Sequence, residues 1–207
     1  GTINISADNS FTIAGKNTEG RISGLWADTH GAGKGGNITI TASNFSLGKE
    51  TLIRSSSFAK KENASGDAGN ITIKAAEINS NGVIASRTHG AGNAGNIELN
   101  GMNIFLTNGA KVFTSAVEGS TGNAGNITVS ATNIKLHDVD IYSSAGENST
   151  GMGGNIEIDA NDSLEIYNSD IISWTESFGN AGDISINASE LNIGNSGISS
   201  DTHGDGN

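Results

Sequence analysis

The chain lacks cysteine and proline altogether, and it is poor in cations and in aromatic residues. Its 207 residues include 11 Lys and Arg against 22 Asp and Glu, with 5% aromatic residues. Without Cys, a disulfide scaffold and a thiolate metal site are excluded. The formal net charge of −11 excludes nucleic acid as an expected partner, because phosphate binding needs clustered Lys and Arg.

Long apolar runs are absent as well. No stretch approaches the roughly 20 apolar residues that span a bilayer, so we expect no membrane insertion. No charged start followed by an apolar run is present, so an export signal is expected outside these residues.

What the sequence does contain is Gly, Asn, Ser, Thr and Ile, arranged as a repeat. The phrase Gly36-Asn37-Ile38-Thr39-Ile40 recurs with its Gly at 69, 95, 125, 154 and 182, and begins at Gly1 and again at Gly206. The steps between these Gly residues are 35, 33, 26, 30, 29, 28 and 24. A wandering period of this length is typical of stacked coils whose loops vary while their strands stay in register.

Each repeat is predicted to contain three short strands. The first is the Ile-x-Ile phrase, whose alternation places both apolar residues inward. A small residue such as Ala42 follows at a tight corner, and a second apolar pair such as Phe45 and Leu47 comes next. The third strand has an apolar residue followed two places on by Ser or Ala, and both are predicted to point inward, as at Ile141 and Ser143. The corresponding inward residues of the fourth repeat are predicted to be Phe113 and Ser115. We therefore expect an all-β parallel β-helix of about seven coils, with residues 1–207 as a single repeat domain.

The Asn that opens the phrase predicts a structural ladder. Its members are Asn37, Asn70, Asn96, Asn126 and Asn155, with Asp183 in the sixth position. We expect an internal ladder in which each amide donates to the carbonyl of the next coil, and in which the preceding Gly supplies a left-handed backbone. Calcium binding by the same loops is a weaker alternative, because they offer mostly Asn where a dedicated site offers Asp.

The phrase Gly122-Asn123-Ala124-Gly125-Asn126-Ile127-Thr128-Val129 resembles the repeat region of filamentous-haemagglutinin-like exoproteins, adhesins that Gram-negative bacteria and cyanobacteria secrete by the two-partner route. The resemblance covers essentially the whole chain. It implies a right-handed β-helix, a secreted or bacterial cell-surface location, and a role as an adhesive or spacer shaft. The family's secretion domain has an Asn-Pro-Asn-Gly signature, which a chain without Pro cannot contain, so the resemblance is to the shaft. We expect a segment of a longer array, with end-to-end self-association as the alternative.

A possible ligand contact lies on the third strands of the fifth and sixth repeats. Alternation places five residues outward there: Asp140, Tyr142, Asp170, Ile172 and Trp174. Stacking in register sets the two carboxylates about 5 Å apart, a separation that suits a retaining glycosidase. Any two acids in one column acquire this spacing, however, so contact with a glycan or protein is favoured over catalysis.

Sites for a metal ion, for nucleophilic catalysis and for ice binding have less support in the sequence. His30, His89 and His203 fall on repeats that are not adjacent, which disfavours a shared metal ion, and no Ser-His-Asp arrangement is supported. The outward Thr column is broken by Glu98 and Glu157, which disfavours ice binding. The sequence thus predicts a non-catalytic adhesive shaft without metal or cofactor, whose partner is a surface glycan or protein. A filament subunit or a polysaccharide-active β-helix using Asp140 and Asp170 is the alternative.

Overall fold

The chain folds as an all-β solenoid in a computed structural model that describes residues 1–58, 66–176 and 178–204. These residues contain no helix, hence none long and apolar enough to cross a membrane. Two parallel sheets of seven strands run the length of the solenoid. The first sheet consists of β1 (Ile3–Ile13), β3 (Ile38–Leu47), β5 (Ile71–Ser80), β7 (Ile97–Thr107), β9 (Ile127–His137), β11 (Ile156–Tyr167) and β13 (Ile184–Gly194). The second consists of β2 (Gly24–Trp26), β4 (Leu52–Ser57), β6 (Val83–Thr88), β8 (Lys111–Ala116), β10 (Asp140–Ala145), β12 (Asp170–Thr175) and β14 (Gly197–Thr202).

The prediction of an all-β parallel solenoid is confirmed, at a coarser level than it was made. Seven strands in a sheet are separated by six steps, so the described chain makes about six turns. The predicted number of about seven coils is a count of sequence repeats. A turn is counted instead as the step from one strand to the equivalent strand of the next repeat.

Each repeat contributes two strands, so the prediction of three was wrong. The expected first and second strands form one long strand, as in β3, which runs from Ile38 to Leu47 through the small residue Ala42. The register shifts just after this small residue in β1 and β11, following Ala7 and Ala160. Because Ala leaves room for the chain to bend while its backbone stays paired with the neighbouring turns, the corner does not end the strand.

The apolar columns predicted from alternation fill the interior. Ile127 and Val129 are 0% exposed, while Thr128 between them faces outward. The second half of the long strand adds another buried pair, such as Phe45 and Leu47. Parallel pairing stacks each apolar residue on its equivalent about 4.8 Å away, which makes a continuous apolar shaft.

One inward assignment was wrong. Phe113 and Ser115 pair in register with Tyr142 and Ser144, which are outward positions, and it is Val112 and Thr114 that align with Ile141 and Ser143. The residues that point inward from β8 are therefore Val112 and Thr114. Phe113 lies on the outer wall, and it is only 2% exposed because neighbouring side chains cover it.

Buried hydroxyl groups tie the second sheet to the glycine-rich loops across the interior. Ser143 Oγ donates to the carbonyl oxygen of Gly125 at 2.9 Å and accepts from the backbone N–H of Gly154 at 2.8 Å. The same two bonds are made by Ser55, Ser86 and Ser173. Because each of these four hydroxyls both donates and accepts, it has the partners that a buried polar group requires.

The Gly residues of the repeat phrase permit close packing between turns. A Cβ added to Gly154 would lie 2.1 Å from the carbonyl oxygen of Gly125 in the preceding turn. The glycines at 36, 69, 95, 125 and 182 meet the same obstacle at 1.8 to 2.3 Å, and none of the six has a positive φ. The left-handed backbone predicted for them was therefore wrong, and their need for Gly is steric.

Candidate functional site

The five residues predicted to face outward lie together on the outer face of the second sheet. Asp140 pairs in register with Asp170, and Tyr142 pairs with Ile172. Trp174 aligns with Ser144, one outward position further along the strand. Alternation therefore predicted that these five residues share one wall, but it did not reveal that Phe113, Arg87 and Lys111 lie beside them.

The two carboxylates differ in their surroundings. Asp140 also neighbours Lys111, whose Nζ lies 2.5 Å from Asp140 Oδ2. This hydrogen bond to Asp140 raises the pKa of Lys111 above its ordinary value. Asp170 lies on the other side, next to Gly197 in β14, and is exposed. The wall thus carries one ion pair beside one open carboxylate.

An aromatic stack runs along the solenoid axis across this wall. The guanidinium of Arg87 lies 4.4 Å from the ring centroid of Phe113. Phe113 stacks on Tyr142 with centroids 4.6 Å apart and planes 8° apart, and Tyr142 contacts Trp174 at 5.2 Å. Both ring faces of Phe113 and of Tyr142 are consequently covered by neighbours in adjacent turns. A sugar ring cannot stack on Tyr142, and among these rings only the terminal Trp174 retains a face that this stack does not cover.

Burial of the stack affects its polar members. It raises the pKa of the Tyr142 hydroxyl, with the nearby cations Arg87 and Lys111 opposing the effect. It also lowers the pKa of Arg87, because desolvation disfavours the charged guanidinium. At both groups, removal from water contributes more to the pKa shift than any charged neighbour does.

A groove of about 320 Å³ lies beside the stack. Ser115 and Ser144 line it with small side chains, and Ser144 Oγ donates to Ser115 Oγ at 3.1 Å. Arg87 belongs to an earlier turn than these serines, and Trp174 and Glu176 belong to a later one. The depression exists because the outward positions of β8 and β10 carry serines where the flanking turns carry Arg and Trp.

The Asn ladder is present on the outside of the solenoid. Asn37 Oδ1 accepts a hydrogen bond from the backbone N–H of Asn70 at 2.9 Å. The pattern continues at 2.8 to 2.9 Å through Asn70, Asn96, Asn126, Asn155 and Asp183. These side chains are exposed, and their carbonyl oxygens accept. The expected internal ladder of donating amides was therefore wrong in both location and direction.

A second ladder, three residues earlier, was missed from the sequence. Asp67 Oδ1 accepts from the N–H of Asn93, and Asn93 and Asn123 continue the series to the N–H of Met152. The first of these bonds lowers the pKa of Asp67, with Lys34 acting in the same direction. The recurring Asn-Ala-Gly-Asn phrase was the signal that could have revealed it.

The repeated His residues serve another stack. His30 and His89 lie on either side of Phe58, with ring centroids 5.1 and 4.8 Å from it. An aromatic ring thus occupies the turn between these two imidazoles. Within the described ranges, no group of three or more His, Asp or Glu side chains is placed to hold a metal ion.

Comparisons of the chain with protein family models, with curated proteins and with solved structures found no match. The functional proposal therefore depends on the repeat and on the outer wall.

Proposed function

We propose that this chain is a non-catalytic shaft of a secreted or bacterial cell-surface exoprotein, related to the repeat region of filamentous-haemagglutinin-like adhesins. The observation that carries the proposal is the continuous parallel pairing of seven strands in each of the two sheets. A stack of this kind extends in one dimension, keeps its backbone constant, and leaves outward side chains free to vary. Those properties suit a protein that holds binding surfaces away from a cell.

The shaft is right-handed in this proposal, with seven coils when each pair of long and short strands is counted. Crossover connections between parallel strands of one sheet are right-handed in about 98% of cases. The described residues 1–58, 66–176 and 178–204 then form one repeat domain.

The outer wall around Tyr142 supports contact with a partner more than catalysis. Asp140 is held in an ion pair by Lys111, and both faces of the Tyr142 ring are occupied. A polysaccharide-active site using Asp140 and Asp170 needs a sugar held across both carboxylates, and this ring stack offers it only the edges of Phe113 and Tyr142. We propose that the wall contacts a glycan or protein on a host or neighbouring cell.

The test is adhesion by the protein displayed on beads, applied to cells and to immobilised glycans. Saturable binding, lost with a scrambled outer wall but kept when only Asp140 and Asp170 are replaced by Asn, supports an adhesive shaft. Release of reducing ends from a polysaccharide panel, abolished in the same double variant, would overturn the non-catalytic assignment. Electron microscopy over a concentration series tests the alternative that the chain is a filament subunit. Rods that lengthen with concentration, in a protein that shows no adhesion, would favour self-assembly.

A further inference from the structure

Arg87 is a half-buried cation that has no carboxylate partner in the described part of the chain. The protein has 22 acidic residues against 11 Lys and Arg, so partners are plentiful. Seven other basic residues lie within 4.0 Å of a carboxylate: Lys16, Arg21, Lys34, Arg54, Lys74, Lys111 and Lys135. The charged or titratable groups that act on Arg87 are Tyr142 and the guanidinium of Arg54. Neither of them is a carboxylate.

This arrangement is costly for the isolated protein. Taking a guanidinium out of water is unfavourable unless a counter-charge or hydrogen bonds replace the lost hydration. The ring of Phe113 offsets part of the cost through a cation–π contact. A guanidinium lying over a ring keeps its N–H donors in its own plane, and their fork matches the two oxygens of a carboxylate.

The groove beside Arg87 specifies what else the ligand carries. Ser115 and Ser144 offer hydroxyl groups, and Trp174 offers an apolar surface at the end of the stack. Glu118 and Glu176 also line the groove, and both are exposed. Their charges repel a densely anionic chain such as a sulfated polymer or a polyacidic peptide, whereas they accept hydrogen bonds from hydroxyl groups. The lining therefore fits a ligand with many hydroxyls and an isolated carboxylate.

We propose that this groove binds a carboxylate-bearing oligosaccharide, with Arg87 pairing with the carboxylate, Ser115 and Ser144 contacting sugar hydroxyls, and Trp174 packing against one ring. The identification of the ligand as a cell-surface glycan rests on the proposed adhesive function. The serines of the groove lie two outward positions along the strand from the Asp140 and Asp170 column.

The experiment is calorimetric titration with a tetrasaccharide that carries a single uronic acid, with the methyl ester of that tetrasaccharide, and with a neutral tetrasaccharide. We expect the acid form to bind, and esterification to weaken the affinity at least tenfold. Arg87→Gln is expected to cause a similar loss. Arg54→Gln, a matched change at a cation of the same wall that already pairs with Asp28, should leave the Kd within twofold.

Equal affinity for the acid and the ester, or wild-type affinity in Arg87→Gln, would overturn the proposal. Tighter binding of an acidic peptide or a sulfated disaccharide would overturn the ligand class. If Arg87→Gln fails to fold, Ser115→Leu replaces it, because Ser115 is partly exposed and a leucine there is expected to fill the groove. Cell adhesion measured on the same variants separates the two proposals. Uronate binding without adhesion contradicts only the adhesive function. Adhesion that survives in Arg87→Gln, although uronate binding is lost, contradicts only the part of the groove in adhesion.

Discussion

Replacing Ile127 with Lys tests whether the apolar columns form the interior of the solenoid. Ile127 is 0% exposed and lies between Ile97 and Ile156 of the adjacent turns. The new ammonium group would be enclosed by apolar side chains on its own strand and on both neighbouring strands. It would have to lose its proton or force the coil open.

The expected loss of stability is the free-energy cost of removing a proton from the buried lysine. Keeping a lysine uncharged at pH 7 costs about 5 kcal/mol, because its pKa in water is about 10.4 and each pH unit is worth about 1.4 kcal/mol. This is comparable to the whole stability of a typical domain, about 5 to 15 kcal/mol. Neighbouring turns stabilise each other, so the loss is expected to spread over several turns.

The sign of the pH dependence is diagnostic. A lysine whose folded-state pKa is depressed destabilises the fold most below that pKa, and the penalty shrinks as pH rises toward about 10.4. Raising the pH from 7 to 9 should therefore recover about 2.7 kcal/mol of the loss, relative to the wild type at the same two pH values.

Thr128→Lys is the matched control. Thr128 faces outward and pairs in register with Glu98 and Glu157, so the same side chain there meets two carboxylates. We expect no loss, or a gain of about 0.2 to 1 kcal/mol per pair. Urea unfolding followed by far-ultraviolet circular dichroism measures both variants at both pH values. Equal destabilisation of the two would refute the inward and outward assignment.

Three further changes probe the polar framework. Ser143→Ala should cost about 1 to 3 kcal/mol, because the buried N–H of Gly154 loses its acceptor, and an unchanged urea midpoint would contradict that role. Gly154→Ala should cost about 1 to 3 kcal/mol or more, since its Cβ would overlap the carbonyl of Gly125, and thermal melting at wild-type temperature would disprove the steric argument. The N–H of Asn93 lowers the pKa of Asp67, so the wild type should lose stability below about pH 4 as that carboxylate gains a proton. Asp67→Asn removes this acid-dependent loss, of about 1 kcal/mol or less at so accessible a pair, and identical pH profiles of melting temperature would exclude it.

The repeat and its alternation made the solenoid predictable. An Ile-x-Ile phrase needs only a local rule to place Ile38 and Ile40 on one face, and its recurrence with Gly sets the stacking. The same rule brought Asp140, Asp170 and Tyr142 to one wall. These inferences succeeded because period-two geometry holds within a single strand, whatever the strand packs against.

The phase of β8 was not predictable in this way. Val112 and Phe113 are both apolar, so alternation alone allows either to face inward, and the bulkier residue was assigned to the core. Pairing with Ile141 settles the choice in favour of Val112. Phe113 then becomes the ring that links Arg87 to Tyr142, and the aromatic stack depends on it.

The sequence by itself determined the class of fold, the spacing of the turns and which side chains lie along each strand, because these follow from local backbone geometry and from a repeated pattern. Only the tertiary structure decided what each side chain meets in the next turn. Whether Asn37 donates or accepts, why Gly154 must be small, and that Arg87 has a ring but no carboxylate beside it all depend on contacts between residues about 30 positions apart. Such contacts are set by the register of stacked strands, which a one-residue shift would replace entirely.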